Sequence, residues 1–148
     1  MNVLNACFNL SWEAISKLHL NFTANYWAYV FTDVTKDVAW HKPVFQFVFN
    51  GKYIHNRMIF DLNFNLDFAR KGMAFDTEGT PYAITMKPII DVGVGFEYRI
   101  TNRFSAFAKV SNLANQHYAQ FYNFKSFGIN GLLGVTYSFG DESLKKKK

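Results

Sequence analysis

The chain has 148 residues and 49% hydrophobic content, enough for one domain, and its single cysteine excludes an internal disulfide or a multi-cysteine metal site. Aromatics reach 19% while mean hydropathy is only −0.09, and the longest apolar run, 26–31, falls far short of the ~18 residues of a membrane helix, which excludes a helical membrane protein. The net charge of +5 drops to +3 once residues 141–148, with four lysines against Asp141 and Glu142, are set aside, so the basicity is a tail effect and does not point to nucleic acid.

Side chains alternate faces along a strand, so residue parity tests for strands directly. In 4–14, Leu4, Ala6, Phe8, Leu10, Trp12 and Ala14 oppose Asn5, Cys7, Asn9, Ser11 and Glu13. In 18–30, Leu18, Leu20, Phe22, Ala24, Tyr26, Ala28 and Val30 oppose His19, Asn21, Thr23 and Asn25. In 45–53, Phe45, Phe47, Phe49 and Tyr53 oppose Gln46, Asn50 and Lys52. The pattern is clearest in 58–68, where Met58, Phe60, Leu62, Phe64, Leu66 and Phe68 oppose Ile59, Asp61, Asn63, Asn65 and Asp67. A helix would scatter those six apolar residues around its circumference. In 90–100, Ile90, Val92, Val94, Phe96, Tyr98 and Ile100 oppose Asp91, Gly93, Gly95, Glu97 and Arg99. In 104–110, Phe104, Ala106, Ala108 and Val110 oppose Ser105 and Lys109, with Phe107 the exception. A last segment, 128–139, completes seven predicted strands.

The connections alternate in length. Three are tight, at Ile15–Leu18, Ile54–Met58 and Ile100–Phe104; the last two read as one repeated turn, with Asn56 and Asn102 at the position needing unusual backbone angles. Three are long and polar, near 32–43, 71–86 and 112–127. Asn50-Gly51 is a competing hairpin signal, but a turn there would leave 43–49 too short to span and place Lys52 on the lipid face. Short turns at one end and long loops at the other fit an outer-membrane β-barrel. Trp12, Tyr53, Tyr98, Tyr137 and Phe139 gather near the short-turn end, and Tyr26, Trp27 and Tyr29 near the long-loop end, as two interfacial belts would.

Two motifs sharpen this expectation. The segment Gly134-Val-Thr-Tyr137-Ser-Phe139 has apolar or aromatic residues at alternate positions and resembles the assembly signal of outer-membrane barrels, although Leu132 stands where a polar residue is usual and residues 140–148 follow as a charged tail. The run from Phe104 through Asn112-Leu113-Ala-Asn115-Gln-His-Tyr118, an aromatic loop, and then Gly134–Phe139 resembles the C-terminal end of TonB-dependent outer-membrane receptors, in the style of Bacteroidota. The specific resemblance covers about 88–139; residues 1–87 match by strand pattern alone. It implies an all-β, antiparallel transmembrane barrel at 1–139, part of a larger barrel of about 22 strands filled by a plug. It further implies location in the outer membrane of a Gram-negative bacterium and contact with its lipid and its barrel-assembly machinery. The TonB complex would be reached only through a plug that this chain does not contain. An odd strand count also leads us to expect a piece of a larger receptor, and first residues without the features of a signal peptide suggest a mature form, a fragment or a truncated reading frame.

Gly134, Tyr137 and Phe139 are the expected assembly-signal residues. Asp61, Asn63, Asn65, Asp67, Asp91, Glu97, Arg99 and Lys109 are expected to line the lumen as a hydrated wall whose opposite charges pair across strands. Gly93 and Gly95, mid-strand, are expected to leave room for neighbours rather than to bind phosphate. The Asn112-Leu113 pair reads as structural, and Tyr118, Phe121, Tyr122 and Phe124 as the first place to look for ligand contact. His19, His41, His55 and His117 show no metal-ligand spacing, and no nucleophile–base–acid set is identifiable, so neither cofactor nor catalysis is expected. Two other readings remain open: a complete eight-stranded barrel with a structural, adhesive or lipid-associated role, its extra strand made by splitting 57–100 near Thr77–Pro81, and a soluble lipid-binding barrel with its apolar face inside.

Overall fold

A computed structural model describes residues 1–31, 38–122 and 124–139. Among these, the regular elements are all strands: β1 (Asn2–Ile15), β2 (Leu18–Val30), β3 (Phe45–His55), β4 (Met58–Phe68), β5 (Lys71–Phe75), β6 (Pro81–Thr85), β7 (Ile89–Arg99), β8 (Phe104–Ser111), β9 (Ala119–Phe121), β10 (Phe124–Lys125) and β11 (Asn130–Tyr137). Seven form one sheet in the order β1-β2-β3-β4-β7-β8-β11, every neighbouring pair antiparallel. These are the seven segments that the alternation singles out. Apart from a single parallel bridge between Trp40 and Lys71, β5 pairs among the described strands with β6, and β9 with β10, as hairpins within the second and third long connections. The eighth strand that a small closed barrel needs from 71–86 is therefore a separate hairpin, and the main sheet keeps two free edges, β1 and β11. The charged tail lies outside the described residues.

Register follows the alternation. Asn50 and Gly51 stay in the ladder, opposite Asn21 and Leu20 on one side and Asn63 and Leu62 on the other, and the chain reverses at Asn56. Asn56 takes a left-handed φ of 54°, which asparagine tolerates. The expected repeat of this turn at Asn102 does not occur, because Asn102 keeps a negative φ. Thr101 holds that turn instead, its Oγ1 accepting from the N–H groups of Arg103 (3.2 Å) and Phe104 (3.0 Å). The Arg57 guanidinium spans the two turns by donating to the Ile100 carbonyl at 3.3 Å.

The polar face is the sheltered, concave one. Ile59 and Ser105 on it are 5% and 7% exposed, against 67% for Leu4 and 81% for Leu133 on the apolar face. Ser11, His19, Asn21, Asn50, Lys52 and Asp61 wall a groove of about 410 Å³ on that side. An apolar convex face with no further layer over it inverts the usual soluble arrangement. The soluble lipid-binding reading needs the opposite curl and is not met.

Aromatic rows cross the convex face at both ends. Near the short turns, Tyr53 lies 6.3 Å from Phe60 between ring centres, and Phe60 5.1 Å from Phe96. Near the long loops the row is Tyr26, Phe45, Phe68 and Phe47, with ring centres 4.9 Å apart for the first two pairs and 5.9 Å for the last. The expected membership of that second belt needs correcting. Trp27 and Tyr29 pair with Asn5 and Val3 on the polar face, and the Tyr29 hydroxyl donates to the Pro43 carbonyl at 2.8 Å. Odd parity places them there; aromatic type alone does not place them outside.

Candidate functional site

The polar residues of the concave face form rungs across strands. Asn9 Nδ2 donates to Thr23 Oγ1 and Asn21 Nδ2 to Ser11 Oγ, each at 2.8 Å. Asn25 Nδ2 donates to Gln46 Oε1 (3.2 Å), and Gln46 Nε2 in turn to Asp67 Oδ1 (2.9 Å). Asp61, Asn63, Asn65 and Asp67 therefore share this wall, with Asp91 opposite Asn65. Among the described residues the expected pairing of opposite charges is met by Lys52 and Asp61 at 3.8 Å, a separation and exposure that contribute little stability. Lys109 and Asp61 sit on either side of Gly95, whose missing side chain leaves each about 3.4 Å from where a Cβ would stand. Gly93 likewise lies against the Val110 carbonyl. Glu97 stands between Ile59 and Phe107, and Arg99 opposite Ser105, so neither has an opposite charge across the strand. Apolar residues at the short-turn end of the wall interrupt the ladder.

Gly134 belongs to this face, directly opposite Phe107. A Cβ on Gly134 would stand 2.5 Å from Phe107 Cζ, so the glycine is the seat of that ring. Tyr137 sits on the opposite, convex face, where its ring meets Phe139 edge-on at 4.7 Å.

The long-loop end carries the densest polar network. Asn112 is 2% exposed with φ 55°, and all its side-chain capacity is directed at the loop it opens. Its Nδ2 donates to the carbonyls of Gln116 (2.9 Å) and Phe127 (3.0 Å), and its Oδ1 accepts the Gln116 N–H (3.0 Å). Asn115 Oδ1 accepts the Ile129 N–H at 3.0 Å, and the Gln116 amide bonds both the Ile90 N–H and the Pro88 carbonyl. The two feet of the third loop are thus fastened to each other and to β7. Leu113 keeps the ladder by donating its N–H to the Val92 carbonyl (2.9 Å).

Tyr118 belongs to this anchorage. Its hydroxyl donates to Asp91 Oδ2 at 3.3 Å; burial first, then the Asp91 charge and hydrogen bond, raise its pKa. Phe121, Tyr122 and Phe124 stay exposed at the tip, so the four aromatics expected to act together divide into one anchor and three presented rings.

Arg70 was not singled out in the sequence, where a lone arginine at a strand end carries no signal. It is 2% exposed, and its guanidinium donates to the carbonyls of Ala119 (2.9 Å), Gln120 (3.2 Å) and Lys87 (3.3 Å). Desolvation lowers its pKa, with Asp67 acting against that. The His41 N–H donates to the Lys71 carbonyl at 2.7 Å, and its ring lies 5.4 Å from that of Phe121. The first, second and third long connections therefore meet above one end of the polar wall. No group of three or more metal-ligating side chains occurs among the described residues.

A curved antiparallel sheet, apolar outside and polar inside, with tight turns at one rim and interlocked loops at the other, has the architecture of an outer-membrane β-barrel wall. Among solved structures it resembles the ferripyoverdine receptor of the outer membrane of Pseudomonas aeruginosa bound to ferripyoverdine, with a TM-score of 0.76, and FpvAI in its complex with pyocin S2, with a TM-score of 0.77. In both cases identity is 14%, and the match covers 93% of this chain but only 19% of the other, so this chain spans about a fifth of their length. No family model and no curated protein matches the sequence.

Proposed function

We propose that this chain is a stretch of barrel wall from a TonB-dependent receptor in the outer membrane of a Gram-negative bacterium, serving solute uptake but not transporting alone. The observation that carries the reading is the match of the whole curved sheet to receptor barrels, combined with the alternation of tight turns and long loops. The convex face meets outer-membrane lipid, the concave wall borders the lumen, and the loops held by Asn112 and Arg70 face the cell exterior. Gly134, Tyr137 and Phe139 serve recognition by the barrel-assembly machinery. Energy coupling reaches this wall only through a plug domain, and no catalytic role is assigned. The Bacteroidota affinity rests on the sequence run from Phe104 through Tyr118, the aromatic loop and Gly134–Phe139.

Single cysteines in a Cys7→Ser background, labelled on intact cells with a membrane-impermeant maleimide, test this topology. Phe124→Cys should label at once and Asn56→Cys only after permeabilisation. Equal labelling at both sites would refute the orientation.

A further inference from the structure

We infer that the tight-turn rim carries three repeated stations for phospholipid headgroups, centred on Lys17, Arg57 and Arg103, and that they select headgroups of net negative charge, of the phosphatidylglycerol type. This deepens the barrel-wall reading above and rests on it.

The repeat lies in the register. Each tight turn ends on a cation, and the next residue opens a strand with an apolar side chain on the convex face. Lys17 precedes Leu18, which lies opposite Tyr53. Arg57 precedes Met58, which lies opposite Tyr98. Arg103 precedes Phe104, which lies opposite Tyr137. One arrangement thus recurs at all three turns: a cation at the lip, an apolar residue just inside it, and a tyrosine beside that residue on the next strand of the sheet. The three cations are exposed, and so are the three outward tyrosines. Successive stations stand two strands apart, on the order of 10 Å, so each reaches its own headgroup.

Charge and depth then name the occupant. Among the described residues, the convex face of the seven-stranded sheet carries no Lys, Arg, Asp or Glu, so these cations are the first charges a lipid meets at this end. No Asp or Glu occurs in the three turns. The acids of the flanking strands, Glu13, Asp61 and Glu97, stand on the polar face, and Glu13 is held by His19 at 3.2 Å. Arg57 gives one N–H to the Ile100 carbonyl, which fixes it at the lip while a guanidinium keeps further donors for a phosphate. Long basic side chains lay their stems on apolar surface and hold their heads at the polar boundary, the depth that outward tyrosines mark. A soluble acidic partner has no need of that depth; a headgroup does. At the opposite rim Arg70 is buried among carbonyls and turned away from lipid. A zwitterionic headgroup brings its own cation to the station, whereas an anionic one gains roughly fivefold in occupancy per Lys or Arg.

Trp12 faces outward beside the first station, opposite Leu20, and reports the lipid there. The full chain with Trp27→Phe and Trp40→Phe, which leaves Trp12 as its one tryptophan, is inserted into vesicles of equal parts phosphatidylcholine and phosphatidylglycerol, with one or the other lipid brominated. Quenching should show phosphatidylglycerol favoured about fivefold at Trp12. In 1 M sodium chloride, where the Debye length is about 3 Å, the preference should fall below twofold. Lys17→Gln with Arg57→Gln and Arg103→Gln should lower it equally, with Lys145–Lys148 kept in both proteins, and Lys42→Gln at the other rim should leave it unchanged. If the triple variant does not insert, the salt arm decides. Equal quenching by both lipids, or a preference that survives salt or the three substitutions or is lost in Lys42→Gln, would overturn the inference while leaving the wall reading intact. No quenching of Trp12 by either lipid would show that this face does not meet lipid, which refutes the wall reading and the inference with it.

Discussion

Replacing Gly134 by alanine puts a methyl where the Phe107 ring now sits, 2.5 Å from Cζ and 2.9 Å from Cε1. Carbon atoms at those distances are well inside contact, so the ring must swing away. The ring is the far end of a side chain and can move, so the cost is its lost packing, about 1–3 kcal/mol as for other overpacked sites. We expect about 1.5 kcal/mol, roughly a tenfold shift in the folding equilibrium. In a Phe107→Ala background the obstacle is gone. There Gly134→Ala should be neutral or stabilise by up to about 0.5 kcal/mol, because glycine costs more backbone entropy than alanine. The coupling between the two sites is then about 2 kcal/mol. Urea unfolding from phospholipid vesicles, followed by tryptophan fluorescence, measures all four corners of the cycle. Additive effects within ~0.5 kcal/mol would show that the ring does not rely on the glycine.

Asn112→Ala strips three hydrogen bonds from the foot of the third loop and places alanine at φ 55°; trypsin should then cut at Lys125 at least tenfold faster. Asn112→Gly removes the same bonds without the backbone strain and should fall between alanine and the parent in that assay. Arg70→Lys cannot reproduce a fork that meets three carbonyls, so hydrogen exchange across 119–121 should accelerate at least tenfold, the equivalent of about 1.4 kcal/mol. Tyr118 is held neutral with a raised pKa, so its contribution is complete below the ordinary tyrosine value of about 10 and is lost as pH climbs through the raised one. Loop protection from protease should decline in that alkaline window, and Tyr118→Phe should abolish that pH dependence. At the second tight turn, Asn56→Val should destabilise by about 1–2 kcal/mol in the urea assay and Asn56→Gly by little, since only the former resists a φ of 54°.

The strands were legible because each buries or wets one face, and a period of two survives in the sequence however the sheet curls. The alternation in 58–68 returns as β4 with the same ends. What depends on one atom meeting another was not legible. Trp27 and Tyr29 read as belt residues by type, yet their parity turns them inward. Asn102 matched Asn56 in sequence, but Thr101 offered that turn a hydroxyl and removed the need for a left-handed residue. The Asn112-Leu113 pair was recognisable as structural, whereas its partners Gln116 and Phe127 were not, since nothing local marks a backbone carbonyl as an acceptor. Arg70 reaches Ala119 and Gln120, 49 and 50 residues further on, a distance no local pattern encodes.

The fastening of Asn112 and Asn115 to Phe127 and Ile129 also has an evolutionary consequence. The entropy of closing the third loop is met at its feet, within a few residues of the sheet. Beyond that knot, each doubling of loop length adds only about 0.6 kcal/mol. The rim can therefore exchange one loop for another, longer or shorter, while β8 and β11 keep their register. Residues 121–125, beyond the carbonyls that hold Arg70, could therefore be rewritten with little risk to the wall that carries them.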